Sequence, residues 1–152
     1  MQNELGEGPL WHSRENALYW ADIGRAEVFR FRPDTGVRNR FPHDTVVSAL
    51  GIWTHRKFVA ATENGFEVWS SDNSQLAPIA HFIERQSEVR MNDGGVGPGG
   101  RFWAGLLRES RTDGGLYRLG PNGRVSESEI EVVTPNGLDW APGGDVMYLT
   151  DS

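Results

Sequence analysis

Cysteine does not occur among the 152 residues, so disulfides, thiolate catalysis and sulfur-bound zinc are all excluded. Long apolar runs are missing too, and the N-terminus carries no basic segment followed by a hydrophobic stretch. Nothing therefore reads as a membrane span or a secretory leader, and a soluble, cytoplasmic protein is the expectation. Basic residues are in the minority, 15 against 21 acidic, for a formal charge of −6. That balance gives neither nucleic acid nor an anionic membrane an electrostatic reason to bind. Helical periodicity is lacking, because the apolar positions alternate or come in short runs broken by Gly, Pro, Asn or Asp. Two familiar catalytic patterns are absent, the Gly-x-Ser-x-Gly elbow and His-Glu-x-x-His. The four histidines at 12, 43, 55 and 81 are scattered and read as surface or loop residues. The glycine-rich run from Gly94 to Gly100 superficially matches a phosphate loop, but no helix or Lys-Ser/Thr follows it.

What the chain does have is punctuation. Nineteen glycines, eight prolines and six tryptophans point to many turns and many short strands. Four strand-like runs line up: Leu18-Tyr19-Trp20-Ala21-Asp22, Phe58-Val59-Ala60-Ala61-Thr62, Phe102-Trp103-Ala104-Gly105-Leu106 and Met147-Tyr148-Leu149-Thr150-Asp151. Their starts at 18, 58, 102 and 147 recur every 40 to 45 residues. Each of the first three is followed by a second strand and a polar turn, such as Pro33-Asp34-Thr35-Gly36 or Pro121-Asn122-Gly123. A four-stranded module of that period is the signature of a β-propeller blade. A single meandering sandwich is the alternative, since its strands also recur at short intervals. The propeller accounts better for the same strand-turn grammar returning three times. The expected architecture is all-β, with approximate blades at 5–45, 46–90 and 91–134 and the start of a fourth at 135–152. The six tryptophans at 11, 20, 53, 69, 103 and 140 fall at strand positions and read as packing between blades.

In a blade the first strand lies nearest the axis. Glu7, Asn92 and Asn136 all fall at the start of such innermost strands, in modules one, three and four. Polar groups distant in sequence would thereby meet around one central opening. Asn92 belongs to Arg90-Met91-Asn92-Asp93-Gly94-Gly95, which packs a cation, a carboxamide and a carboxylate into four residues. Asp93 reads as a brace for backbone amides, and Asp22, Asp139 and Asp151 as structural acceptors between blades. Closed propellers use four to eight blades. Three and a half modules would leave unpaired edges, which implies either a longer reading frame or self-association through open blade edges.

These residues resemble the senescence-marker-protein/gluconolactonase, or regucalcin-like, family. The similarity is carried by Gly6-Glu7-Gly8-Pro9-Leu10-Trp11, by Arg90-x-Asn92-Asp93-Gly94 and by Gly99-Gly100-Arg101-Phe102-Trp103-Ala104-Gly105. It continues through Gly115-Leu116-Tyr117 and Asn136-Gly137-Leu138-Asp139-Trp140 to Tyr148-x-x-Asp151-Ser152. What the resemblance implies is a six-bladed propeller with one divalent cation on its axis, hydrolysing sugar lactones. Six such modules need about 260 residues, so the chain looks like the first half or slightly more. By the same resemblance Glu7 and Asn136 match metal ligands, and Arg90 and Asn92 match substrate-binding residues. The family's catalytic aspartate, also its third metal ligand, would lie beyond Ser152, so no catalytic residue is expected within this chain. A further acidic residue of the family has no clear counterpart here, Glu109 and Ser110 being nearest.

The donors have their own logic. A carboxylate and a carboxamide oxygen are hard ligands that suit calcium, magnesium or manganese, with zinc also admissible. Such a cation would polarise a lactone carbonyl while a carboxylate activates water. Two other readings stand beside the lactonase. One is a cation-binding relative without turnover. The other is a protein-interaction propeller, because Leu18-Tyr19-Trp20-Ala21-Asp22 is similar to the Tyr-Trp-Thr-Asp repeats of receptor propellers. Module two, Phe-Val-Ala-Ala-Thr, departs from that repeat.

Overall fold

The computed structural model describes residues 2–84, 89–108 and 113–152; Glu109 and Ser110 lie outside the described residues. Short alternating runs bounded by tight turns give fourteen strands among them and no α-helix, only two three-residue 3-10 turns. Strands β1 (Gly6–His12), β2 (Ala17–Asp22), β3 (Glu27–Phe31) and β4 (Arg38–Pro42) form the first antiparallel sheet, each paired with the next. β5 (Val47–Ile52), β6 (Lys57–Thr62), β7 (Gly65–Ser70) and β8 (Leu76–His81) form the second. β9 (Val89–Gly97), β10 (Arg101–Arg108), β11 (Gly115–Leu119) and β12 (Val125–Glu127) form the third, and β13 (Pro135–Trp140) pairs with β14 (Met147–Asp151). The sheets do not close on one another. They form an arc of a propeller, three four-stranded blades and a two-stranded one.

The turns are built as the polar punctuation requires. In Pro33-Asp34-Thr35-Gly36 the Gly36 amide donates to the Arg32 carbonyl at 2.8 Å, and Gly36 takes φ 68°, a left-handed conformation open to glycine without a Cβ clash. The core lies between blades rather than within them. One cluster joins Ala17, Tyr19 and Val28 of the first sheet to Leu50, Phe58 and Trp69 of the second. Another joins Ala61 and Phe66 of the second sheet to Met91, Phe102 and Leu119 of the third. Blade two is thus covered on both faces, and β6 shows it: Phe58 and Ala60 point into the first cluster, Val59 and Ala61 towards the second. A strand buried on both sides reads as a continuous apolar run, as Phe58-Val59-Ala60-Ala61 does.

Packing corrects three expectations. Trp69 is fully buried against Phe58 and Tyr19, but Trp11 and Trp53 are about half exposed, so tryptophan is not uniformly a packing residue between blades. His12 is buried, not a surface residue, because it ends β1 among Tyr19, His55 and Phe58. Asp22 and Asp151 are structural acceptors as expected, but within a blade. Asp22 accepts the amides of Glu4 (3.0 Å) and Leu5 (2.9 Å), and Asp151 those of Val133 and Thr134. In both cases the second strand holds the segment leading into its own innermost strand.

Candidate functional site

The four innermost strands share one defect. Each breaks register with its second strand at the same height: between Glu7 and Leu10, Val47 and Ala49, Met91 and Gly94, and Pro135 and Leu138. Such β-bulges add one residue to one strand, bend it and re-aim its side chains. Ser48, Asn92 and Asn136 lie inside these breaks and Glu7 is the last paired residue before the first, so three of the four residues expected at the mouth sit at or beside an irregularity. Gly8 and Gly137 take left-handed φ of 59° and 75° at two of them.

Neighbouring bulges touch. A Cβ on Gly8 would come within 3.0 Å of the Ser48 carbonyl. The Asp93 carboxylate joins the third and fourth bulges, accepting the amides of Gly94 and Gly137, each at 2.7 Å. Asn92 makes the same crossing by donating from Nδ2 to the Pro135 carbonyl at 2.9 Å, and its Oδ1 accepts Arg90 Nη1 at 2.7 Å. Arg90, Asn92 and β13 are therefore one hydrogen-bonded unit. Beside them the four inner strands enclose an open cavity of about 430 Å³, lined by Gly8, Leu10, Leu50, Asp93, Gly95 and Leu138 among others.

The side chains of Glu7 and Asn136 take no part in those bonds. Among the described residues the half-buried Glu7 carboxylate enters no hydrogen bond or ion pair, and Asn136 bonds only through Nδ2, to Ser152 Oγ at 3.4 Å. A carboxylate without a partner and an amide oxygen without one are donors of the type a hard cation takes. The fit is one of kind; two protein oxygens are a fraction of the six to eight that calcium collects.

Ser48 and the bracing carboxylate complete the picture. Ser48 was overlooked, although the module period lands on it between Glu7 and Asn92. It is fully buried and its Oγ donates to the Ala61 carbonyl at 3.3 Å, tying the second bulge to β6. Asp93, with both oxygens occupied by amides, is a brace, as the sequence reading has it.

A family model described as SMP-30/gluconolactonase/LRE-like region matches residues 5–152. The chain belongs to this family. Members similar to it include a pentonolactonase of Haloferax volcanii, 31% identical over 97% of this chain and 50% of its own length. A 6-deoxy-6-sulfogluconolactonase of Pseudomonas putida is likewise 31% identical, over 97% of this chain and 52% of its own. Among solved structures, a calcium-binding regucalcin of Agrobacterium tumefaciens superposes with a TM-score of 0.92 at 24% identity, covering 99% of this chain and 52% of that one. That likeness bears on the fold alone. The chain spans about half the length of the curated relatives it matches. No helix among the described residues is long and apolar enough to cross a membrane.

Proposed function

We propose that the whole protein containing this chain is a sugar-lactone hydrolase dependent on a divalent cation. The observation that supports the reading is the row of register breaks in the innermost strands, at or beside which Glu7, Asn92 and Asn136 fall. Relatives named as lactonases supply the substrate class. Glu7 and Asn136 would hold the cation through Oε and Oδ1, and calcium, magnesium, manganese and zinc all accept such donors. When bound, a cation of this kind supplies Lewis-acid polarisation of a carbonyl.

The chain's own residues bind and orient. Arg90 brings a fixed positive charge to the mouth, suited to a sugar hydroxyl or to the oxygen that gains charge as the ring opens. Asn92 retains a second amide hydrogen and a second lone pair after its bonds to Pro135 and Arg90. Its carboxamide is thereby held in one orientation for a polar substrate group. Asp93 is committed to two amides, and the family resemblance assigns the base that deprotonates water to an aspartate outside this chain.

The test is opening of glucono-δ-lactone by the whole protein, with and without chelator. Activity should fall on chelation and return with added divalent cation. Glu7→Gln should lower kcat/KM about a hundredfold or more, because the polarisation it supports is worth several kcal/mol. Turnover unaffected by both chelator and Glu7→Gln would refute the reading. A second reading, cation binding without turnover, rests on the donors themselves: Glu7 and Asn136 offer oxygen ligands, whereas no carboxylate of this chain is assigned to activate water. Cation binding that is lost in Glu7→Gln, with no lactone opened by the whole protein, would select it.

A further inference from the structure

At the far end of β1 from Glu7, about 17 Å along the strand at some 3.4 Å per residue, lies a second polar cluster. His12 ends β1, Glu15 occupies the β1–β2 turn, and His55 comes from the β5–β6 turn of the next blade. One ligating atom from each lies within 4.8 Å of the other two, the one such cluster of three imidazoles or carboxylates among the described residues. A small opening lined by His12, Ser13, Arg14, Thr54 and His55 leads to it.

Two buried atoms in the cluster lack partners. His12 Nε2 and Glu15 Oε1 face one another at 3.9 Å, too far for a hydrogen bond, and neither has any other. Their side chains are 2% and 4% exposed. Buried polar groups are almost always satisfied, so a pair of orphans aimed at one space calls for an occupant. The rest of the Glu15 carboxylate is firmly placed. Oε2 accepts the Tyr19 hydroxyl at 2.6 Å and lies 3.6 Å from Arg30 Nη1, and Arg30 is itself anchored on Asn39 Oδ1. Outer partners of this sort orient a metal ligand and leave its other oxygen directed inward.

We propose that His12, Glu15 and His55 form a zinc site between blades one and two, distinct from the central mouth. Two imidazoles and one carboxylate are a nitrogen-oxygen set that zinc takes with bonds near 2.0–2.2 Å, leaving a fourth position for water. Ligand atoms in such a tetrahedron lie roughly 3.3 Å apart. The cluster must therefore contract: exposed His55 can swing in on its turn, and the 3.9 Å between His12 Nε2 and Glu15 Oε1 must close by a smaller shift of the two buried side chains. Zinc on Nε2 requires His12's ring proton on Nδ1. The Glu15 amide is shared between the His12 carbonyl (3.1 Å) and Nδ1 (3.2 Å). With the proton on Nδ1 the amide keeps its carbonyl bond alone. Of the surrounding cations, Arg30 lies on Oε2, Arg56 is paired with Asp72, and Arg14 borders the opening.

The experiment is a calorimetric titration of the whole protein with zinc chloride in excess calcium, which occupies hard oxygen sites, alongside thermal unfolding with and without zinc. One equivalent should bind at micromolar Kd or tighter and raise the Tm, as a ligand of the native state must. His55→Ala, at an exposed position, should fold normally, weaken zinc at least tenfold and lose the Tm shift; Glu7→Gln should leave both unchanged. Cobalt in place of zinc should show visible ligand-field bands in the parent protein and not in His55→Ala. Failure of zinc to bind, equal affinity in His55→Ala, or loss of binding in Glu7→Gln alone would each overturn the proposal.

Discussion

Asp93 shows how one side chain serves a site without reacting in it. Its two oxygens take the Gly94 and Gly137 amides, the second contributed by another blade. Asp93→Ala strands both donors and removes a tie between bulges. A loss of about 1–3 kcal/mol is expected, because bonds to charged acceptors lie in that range, measured as a lower urea midpoint, with Asp93→Asn milder. His43 is a residue-scale case in which burial sets charge. Burial beside Trp69 lowers its pKa below the ordinary histidine value, against the opposing pull of Glu67 and Asp44. A histidine whose folded pKa is depressed favours the folded state while neutral. Its contribution is present above the unfolded pKa of about 6.5 and is lost as pH falls from there through the folded value. The chain should thus lose stability on acidification below about pH 6.5, and His43→Gln should flatten that part of the profile. Denaturant midpoints at pH 7.5 and 5.5, compared between the two proteins, check it.

At the scale of the element, the innermost strand carries the design. Each begins with a lead-in segment, then a bulge, then a run that packs against its neighbours. Where blades crowd, glycine makes room: a Cβ on Gly105 in β10 would lie 2.2 Å from the Pro135 ring carbons. Proline is stiff, so Gly105→Ala must push β13 away, at a cost typical of overpacking, about 1–3 kcal/mol. Because the Pro135 carbonyl anchors Asn92, the same change should disturb the mouth. We expect a lower Tm together with a weakened KM for lactone in the whole protein, kcat being less affected.

The molecule is held together by the seams between its sheets. Trp69 is the largest buried side chain at the first seam, touching Tyr19, Phe41 and Phe58. Trp69→Ala should cost about 3–5 kcal/mol, a large share of the roughly 5–15 kcal/mol that holds a domain folded. Chemical denaturation with far-UV detection measures it, and an unchanged midpoint would mean that the blades do not depend on that seam. Blade two is covered on both sides, whereas Tyr148 on β14 remains 63% exposed. The charged, glycine-rich mouth and the histidine cluster lie at opposite ends of β1, and the buried His12 of the cluster adjoins Tyr19 and Phe58 of the first core.

The strand-turn period was legible in the chain because a propeller blade is a local object. Its turns need Gly, Asn, Asp or Pro at set places, and its strands alternate. From that period the inner strands could be counted, and with them the height of Glu7, Asn92 and Asn136. Recognition of Arg90-x-Asn92-Asp93-Gly94 added roles that spacing alone could not. The contacts between blades were not legible, since they join residues some 40 positions apart whose side-chain directions are set by bulges that sequence pattern does not mark. That is why Ser48 passed unnoticed, why Asp22 and Asp151 serve their own blades, and why His12 and Glu15 are buried beside His55. Local chemistry writes the blade, and the packing of one blade on the next selects which polar atoms are left facing each other.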